Sequence, residues 1–357
     1  MRNLLLGAAL AFGGTMAQAT EYLNVFTWDG YVLPEEVAAV NDILKAEGYD
    51  VEVRVLDTLA EGPEQMFDVI RSGDVDVSFL TLNYIQMEGF PFSNLLQPID
   101  VSSPRLGNAQ ALLPELSEIA MGMSDGGPLY LPFGGGSYGI WANDDVVTEH
   151  PSSVAELLKP EWKGRLSLTS GQVQPNVALA LMAIGQPPFA VQDASGDRAK
   201  IGEMQKADGE LQQTMTALHD QVGFFWSAGP EFRDDLAFVA SYGPGAAAHV
   251  ASGGNWSIVN FDEGNTVWLD TINFSKKLDG KKLEAAEIFA NYFIGKEVQE
   301  RIVNGLGMVA ATTLVDANPM LDENPEFFAE ELFWPPYTKV ANNVMNMLSK
   351  RASGGGS

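Results

Sequence analysis

The first apolar run of the chain proper, Tyr22-Leu23-Asn24-Val25-Phe26-Thr27-Trp28, predicts a buried strand. It ends on Trp28-Asp29-Gly30-Tyr31, two large aromatics flanking an acid. A helix follows from Pro34-Glu35-Glu36-Val37, with proline in the first turn and acids at the positive end of the helix dipole. Val51-Glu52-Val53-Arg54-Val55 predicts a second strand, Asp57 through Arg71 a second helix, and Asp76-Val77-Ser78-Phe79-Leu80 a third strand opening into Thr81-Leu82-Asn83-Tyr84. The order β-α-β-α-β predicts an α/β fold with a mainly parallel sheet.

Gly134-Gly135-Gly136 interrupts this pattern, and Tyr138 to Ala142 predicts a new strand beyond it, as in a crossover to a second unit. The helical stretch Ser153 to Leu158 and the strand Gly164 to Thr169 belong to that unit. Pro187 to Gly209 is polar and predicts a surface connection followed by a helix. Val267 to Phe274 predicts a return strand, Leu283–Phe293 and Val298–Asn304 further helices, and Val340–Leu348 a last one. No repeat of about 20 to 50 residues is present.

The 357 residues suit two domains, and 46% hydrophobic content is enough for two cores. There is no cysteine, so packing alone must hold the fold, and a lipid-anchoring cysteine is excluded. Arg2, the apolar run Leu4–Phe12 and Ala17-Gln18-Ala19 together read as an export signal over residues 1–19, which predicts a mature chain in the periplasm. No later stretch is apolar enough to span a bilayer, so a soluble protein is expected. The formal charge of −26, from 21 basic and 47 acidic residues, argues against nucleic acid and anionic membranes as partners. It fits solubility, a saline habitat or attraction of a cationic ligand.

An aromatic-acid-aromatic cluster at a strand's carboxyl end is where open α/β proteins hold small ligands, so a binder is expected more than an enzyme. Gly135-Gly136-Ser137-Tyr138-Gly139 fits the G-x-S-x-G nucleophile pattern, but that elbow must lead from strand into helix and here a strand follows. His150, His219 and His249 are far apart in the sequence, so no metal is expected; no cofactor is expected either.

Several strings resemble the periplasmic spermidine/putrescine-binding proteins of polyamine ABC importers. They are Trp28-Asp29-Gly30-Tyr31, the Asp76–Thr81 strand, Ser137-Tyr138-Gly139-Ile140-Trp141-Ala142-Asn143, Leu158-Lys159-Pro160-Glu161-Trp162-Lys163-Gly164, Leu168-Thr169 and Trp268-Leu269-Asp270. The resemblance spans nearly all of the mature chain. It implies the type II periplasmic-binding fold: two α/β lobes joined by hinge strands, closing on ligand. Lobe 1 would be 20–133 plus 270–308, lobe 2 134–269 plus 309–350, with a flexible tail at 351–357. It further implies a monomer that delivers its ligand to an inner-membrane ABC permease.

By the same resemblance, Trp28, Tyr31, Thr81, Tyr84, Tyr242 and Trp268 contact the ligand, and Asp270 grips an amine. Asp29 joins them as the acid nearest the first aromatic pair. Two positions depart from the family pattern. Gly30 stands where an acid usually precedes the tyrosine, and Ser170 to Asn176 carries no carboxylate for a far amine. A polyamine such as putrescine or spermidine is the first reading, and a monocationic, zwitterionic or quaternary amine the alternative. A ligand sensor for a membrane receptor is a further one. Asp76 reads as a structural turn residue, Trp141, Trp162 and Trp256 as structural, and Trp226 and Trp334 stay open.

Overall fold

The computed structural model describes residues 21–170, 172–227 and 229–354, so the expected export signal and the end of the tail lie outside the described residues. The chain opens with β1 (Glu21–Phe26), α1 (Pro34–Ala46), β2 (Val51–Val55), α2 (Pro63–Ser72) and β3 (Val77–Thr81). β1 pairs in parallel with both β2 and β3. Leu33, the residue capping α1, has no polar side chain; Glu36 compensates by accepting the Leu33 N–H at 2.8 Å.

Some elements differ from their sequence expectation. α2 starts at Pro63, not Asp57, because proline disfavours helical backbone before it and Gly62 is extended. The freed loop folds back instead, and Ala60 N–H bonds the Thr27 carbonyl at 2.9 Å. The Gly134–Gly136 run does not break the chain's extension either: Leu131–Asn143 is one 13-residue strand. Its glycines make room for bulky neighbours. A Cβ on Gly135 would lie 2.8 Å from the Phe328 ring, and one on Gly136 would lie 2.6 Å from Trp268 Cζ2. Gly136→Ala should therefore displace the Trp268 indole and lower stability by about 1–3 kcal/mol, read as a fall in the denaturant midpoint.

That long strand is the spine of the sheet. Its first half pairs antiparallel with the return strand Thr266–Phe274, and its second half with Phe238–Ser241 and Trp256–Ile258. The order runs β2, β1, β3, Thr266–Phe274, Leu131–Asn143, Phe238–Ser241, Leu166–Thr169, Val222–Trp226. Three parallel strands thus flank each side of an antiparallel centre.

Among the described residues two large hydrophobic cores lie along this path, beside a small cluster of Leu236, Val239 and Trp256. The first holds a ring cluster of Tyr31, Phe79, Phe133, Phe289 and Phe293, and the second gathers Leu168, Leu181, Met215, Phe238 and Leu348. The chain passes between them at 133–138, 261–267 and 334–341. Pro187 to Gly209 is less superficial than its polarity suggests: it holds helices Ala190–Asp193 and Arg198–Met204, and Val191 and Ile201 enter the second core. No helix among the described residues is long and apolar enough to cross a membrane.

Candidate ligand-binding cleft

The parallel strands of both halves end toward one cavity of about 450 Å³. From the first half come Trp28, Asp29 and Tyr31 after β1, and Thr81, Asn83 and Tyr84 at the end of β3. The second half supplies Tyr242 and Pro244 after Phe238–Ser241, and Gln172 after Leu166–Thr169. Trp268 and Asp270 enter from the return strand between them, and Trp334 and Tyr337 from the last crossing segment. All eight residues singled out from the sequence therefore line the same cavity. Sequence reasoning missed Ala60, Asn83, Gln172, Pro244 and Tyr337, and left Trp334 open. The Pro335-Pro336 pair beside the last two marks a break in regular structure but says nothing of a cavity.

Asp270 is the electrostatic centre. It is 4% exposed, its backbone faces Thr81 of β3, and its pairing with the long strand shifts register between Asp270 and Thr271. Its Oδ2 accepts a 2.5 Å hydrogen bond from the Tyr31 hydroxyl, while Oδ1 has no hydrogen-bond partner among the described residues. Burial pushes its pKa up from 3.8 to about 6, against the hydroxyls of Tyr31 and Thr81, which hold it down. Burial also raises the neighbouring phenols of Tyr31 and Tyr84, which stay protonated at neutral pH and so remain donors. Asp29, the other acid of the lining, is exposed.

Aromatic side chains share the cavity lining with this carboxylate. Tyr31 packs against Phe79 and Phe133, Tyr84 lies 6.5 Å from Tyr337, and Tyr242 stands 5.0 Å from Tyr138. The Tyr242 hydroxyl donates to Gln172 Oε1. The indole N–H groups of Trp28 and Trp268 are buried without a partner among the described residues. A buried carboxylate in a cavity lined by aromatic side chains suits an organic cation, each ring face the cation meets adding roughly 0.5–2 kcal/mol.

The remaining sequence signals resolve into structure. Asp76 accepts the Asn24 N–H at 2.8 Å and pairs with Lys282 at 2.7 Å. Trp226 donates to the Ala240 carbonyl within the second core. Ser137 sits in mid-strand opposite Val267, where no strand-to-helix elbow exists. Among the described residues no group of three His, Cys, Asp or Glu side chains could hold a metal. A second cavity of about 490 Å³, lined by Arg105, Tyr292 and Lys296 among others, touches none of the sequence-derived residues.

The fold and the family have counterparts among known proteins. The spermidine/putrescine-binding periplasmic protein of Escherichia coli (strain K12) is 24% identical over 352 residues, covering 96% of this chain and 91% of that one. The structure of the spermidine/putrescine ABC transporter substrate-binding protein of Streptococcus pneumoniae matches with a TM-score of 0.70 at 16% identity, covering 94% of this chain and 99% of the other. The TpPotD lipoprotein of Treponema pallidum matches at 0.65 and 15% identity, over 93% and 99%. These likenesses show the type II periplasmic-binding fold. The family pattern described as bacterial extracellular solute-binding protein covers residues 86–331, and the chain belongs to that family.

Proposed function

We propose that this solute-binding protein captures a small organic amine by closing two lobes on it, and delivers it in the periplasm to an ABC permease. The observation that carries the proposal is Asp270, a buried carboxylate with one oxygen free, in a cavity lined by aromatics at the junction of two cores. An ammonium group at Oδ1 would gain a charge-assisted hydrogen bond of roughly 1.5–3 kcal/mol. Trp28, Tyr31, Tyr84, Tyr242 and Trp268 would cover its alkyl chain. A linear polyamine such as putrescine or spermidine is the favoured ligand, with its far ammonium toward Asp29 and solvent.

The lobes follow the cores. Residues 309–334, expected from sequence in the second lobe, contribute Val309, Phe327, Phe333 and Trp334 to the first core, so we assign them to lobe 1. Lobe 2 then keeps the chain from Tyr138 to Phe261 and the final helix Lys339–Ala352. Ligand touching both lobes would favour the closed arrangement over the open one.

A second reading, a singly charged amine, is favoured by one observation: the second lobe contributes Gln172, Tyr242 and Pro244 to the cavity and no carboxylate. A thermal-shift screen with putrescine, spermidine, choline and glycine betaine separates the two. A ligand at 100 times its Kd adds ~2.7 kcal/mol of stability. A shift with the diamine and triamine supports the first reading, a shift with the single-charge amines alone the second. No shift with any amine overturns both.

A further inference from the structure

Behind the cleft, Arg301 of helix Lys296–Leu306 reaches the loop that carries Trp28, Asp29 and Tyr31. Its Nε contacts Glu36 Oε1 at 2.5 Å and its Nη2 contacts Oε2 at 3.2 Å, a two-point pairing. The same guanidinium donates from Nη1 to the Gly30 carbonyl at 3.1 Å and from Nη2 to the Tyr31 carbonyl at 2.8 Å. Glu36 Oε2 in turn accepts the Leu33 N–H at 2.8 Å. One ion pair thus holds three points of the loop backbone, at residues 30, 31 and 33. Neither of its members lines the cavity.

Surface stability alone does not account for this arrangement. The side chains of Arg301 and Glu36 are 22% and 7% exposed, and a pair so far removed from water returns little net stability for its desolvation. What it does is geometric. Gly30 takes a left-handed φ of 75°, a freedom the loop needs for its turn and one that leaves the backbone loosely determined by itself. The planar guanidinium removes that looseness, because its donors are fixed in one fork. Tyr31 follows its own carbonyl, and the Tyr31 hydroxyl reaches Asp270 Oδ2 at 2.5 Å.

We propose that Arg301, set by Glu36, is a positioning residue for ligand binding, holding Tyr31 against Asp270 and presenting Trp28 to the ligand from a site it does not itself touch. The inference rests on the amine-binding reading of the cleft only for its effect on affinity. The Tyr31–Asp270 contact is testable without any ligand.

Two variants make the test. Arg301→Lys keeps the charge but loses the fork; Glu36→Gln keeps an oxygen for the Leu33 N–H while removing the ion pair. For each, the Asp270 carboxyl is titrated in the empty protein by carbon NMR, with Asp270→Asn to assign the signal. The titratable groups facing it are the phenols of Tyr31 and Tyr84. Putrescine affinity is measured alongside by calorimetry.

With the clamp released, the Tyr31 bond that pulls the Asp270 pKa down weakens, so its titration should move to higher pH. Putrescine affinity should fall by about ten-fold or more, the usual consequence of a binding group left without its supporting contacts. A purely structural pair would lower the unfolding midpoint and leave both readouts unchanged. Folded variants with an unmoved Asp270 titration overturn the proposal. If the unaltered protein binds no amine while the titration still moves, the ligand reading fails and the positioning role stands.

Discussion

Asp270→Asn is expected to remove most of the amine affinity and, in the same protein, to make the empty fold more stable. Truncating one partner of a buried, hydrogen-bonded charge pair costs about 2–5 kcal/mol of binding. That is a loss of about 30-fold to several thousand-fold in Kd, read by calorimetry with putrescine. Unaltered affinity in the asparagine variant would mean that the ammonium does not sit at Asp270.

The stability effect has the opposite sign for a physical reason. The folded-state pKa of Asp270 is raised, from 3.8 to about 6, so its contribution to stability is complete below about pH 3.8 and lost as the pH rises through 6. At neutral pH the empty protein therefore carries an ionised, half-bonded carboxylate in a buried place. The shift corresponds to about 3 kcal/mol of stability forgone. Asparagine carries no charge to desolvate and still accepts from Tyr31. Urea unfolding at pH 7.5 should show the variant gaining up to about 3 kcal/mol, with the gain vanishing near pH 4. A variant less stable than its parent at pH 7.5 would show that the carboxylate is a stabilising group in the empty cleft. A gain of that kind would be the exchange of stability for function that binding sites commonly show.

Amine affinity should also collapse in mild acid. Asp270 must be ionised to hold an ammonium, and its proton returns at about pH 6. Above that value Kd should be flat, and below it affinity should fall by about ten-fold per pH unit, because each unit makes the ionised form ten times rarer. Between pH 7.5 and 4.5 the loss is expected to reach about 30-fold. At pH 6 binding should release about half a proton, measured by calorimetry in buffers of different ionisation heat. Putrescine itself stays fully charged over this range, as alkyl ammonium groups do. A flat profile to pH 4.5 would place the ligand's charge on a carboxylate with an ordinary pKa, such as one at the exposed rim.

Much of the site was legible because it sits at places the chain announces. Trp28, Asp29 and Tyr31 follow β1, and Thr81 ends β3, positions that open α/β sheets use for ligands. Trp268 and Asp270 were legible through their resemblance to a known family. The missed residues have no such local mark. Gln172 and Tyr337 reach the cavity because distant segments pack there, and Arg301 is 271 residues from the Gly30 carbonyl it holds.

The alternation of strands and helices, the acidic balance without cysteine, and the strand ends that carry aromatics and acids were all legible in the residues themselves. These follow from local periodicity, capping and composition, which act over a few residues. Long-range packing makes Gly134–Gly136 continue a strand, since Trp268 and Phe328 fill the space side chains would need. It also decided that residues 309–334 pack with the first core, and that Asp270 is buried with one oxygen unpaired. Such properties depend on which surfaces meet, and burial sets the charge on Asp270 through surroundings drawn from residues 31, 81 and 84.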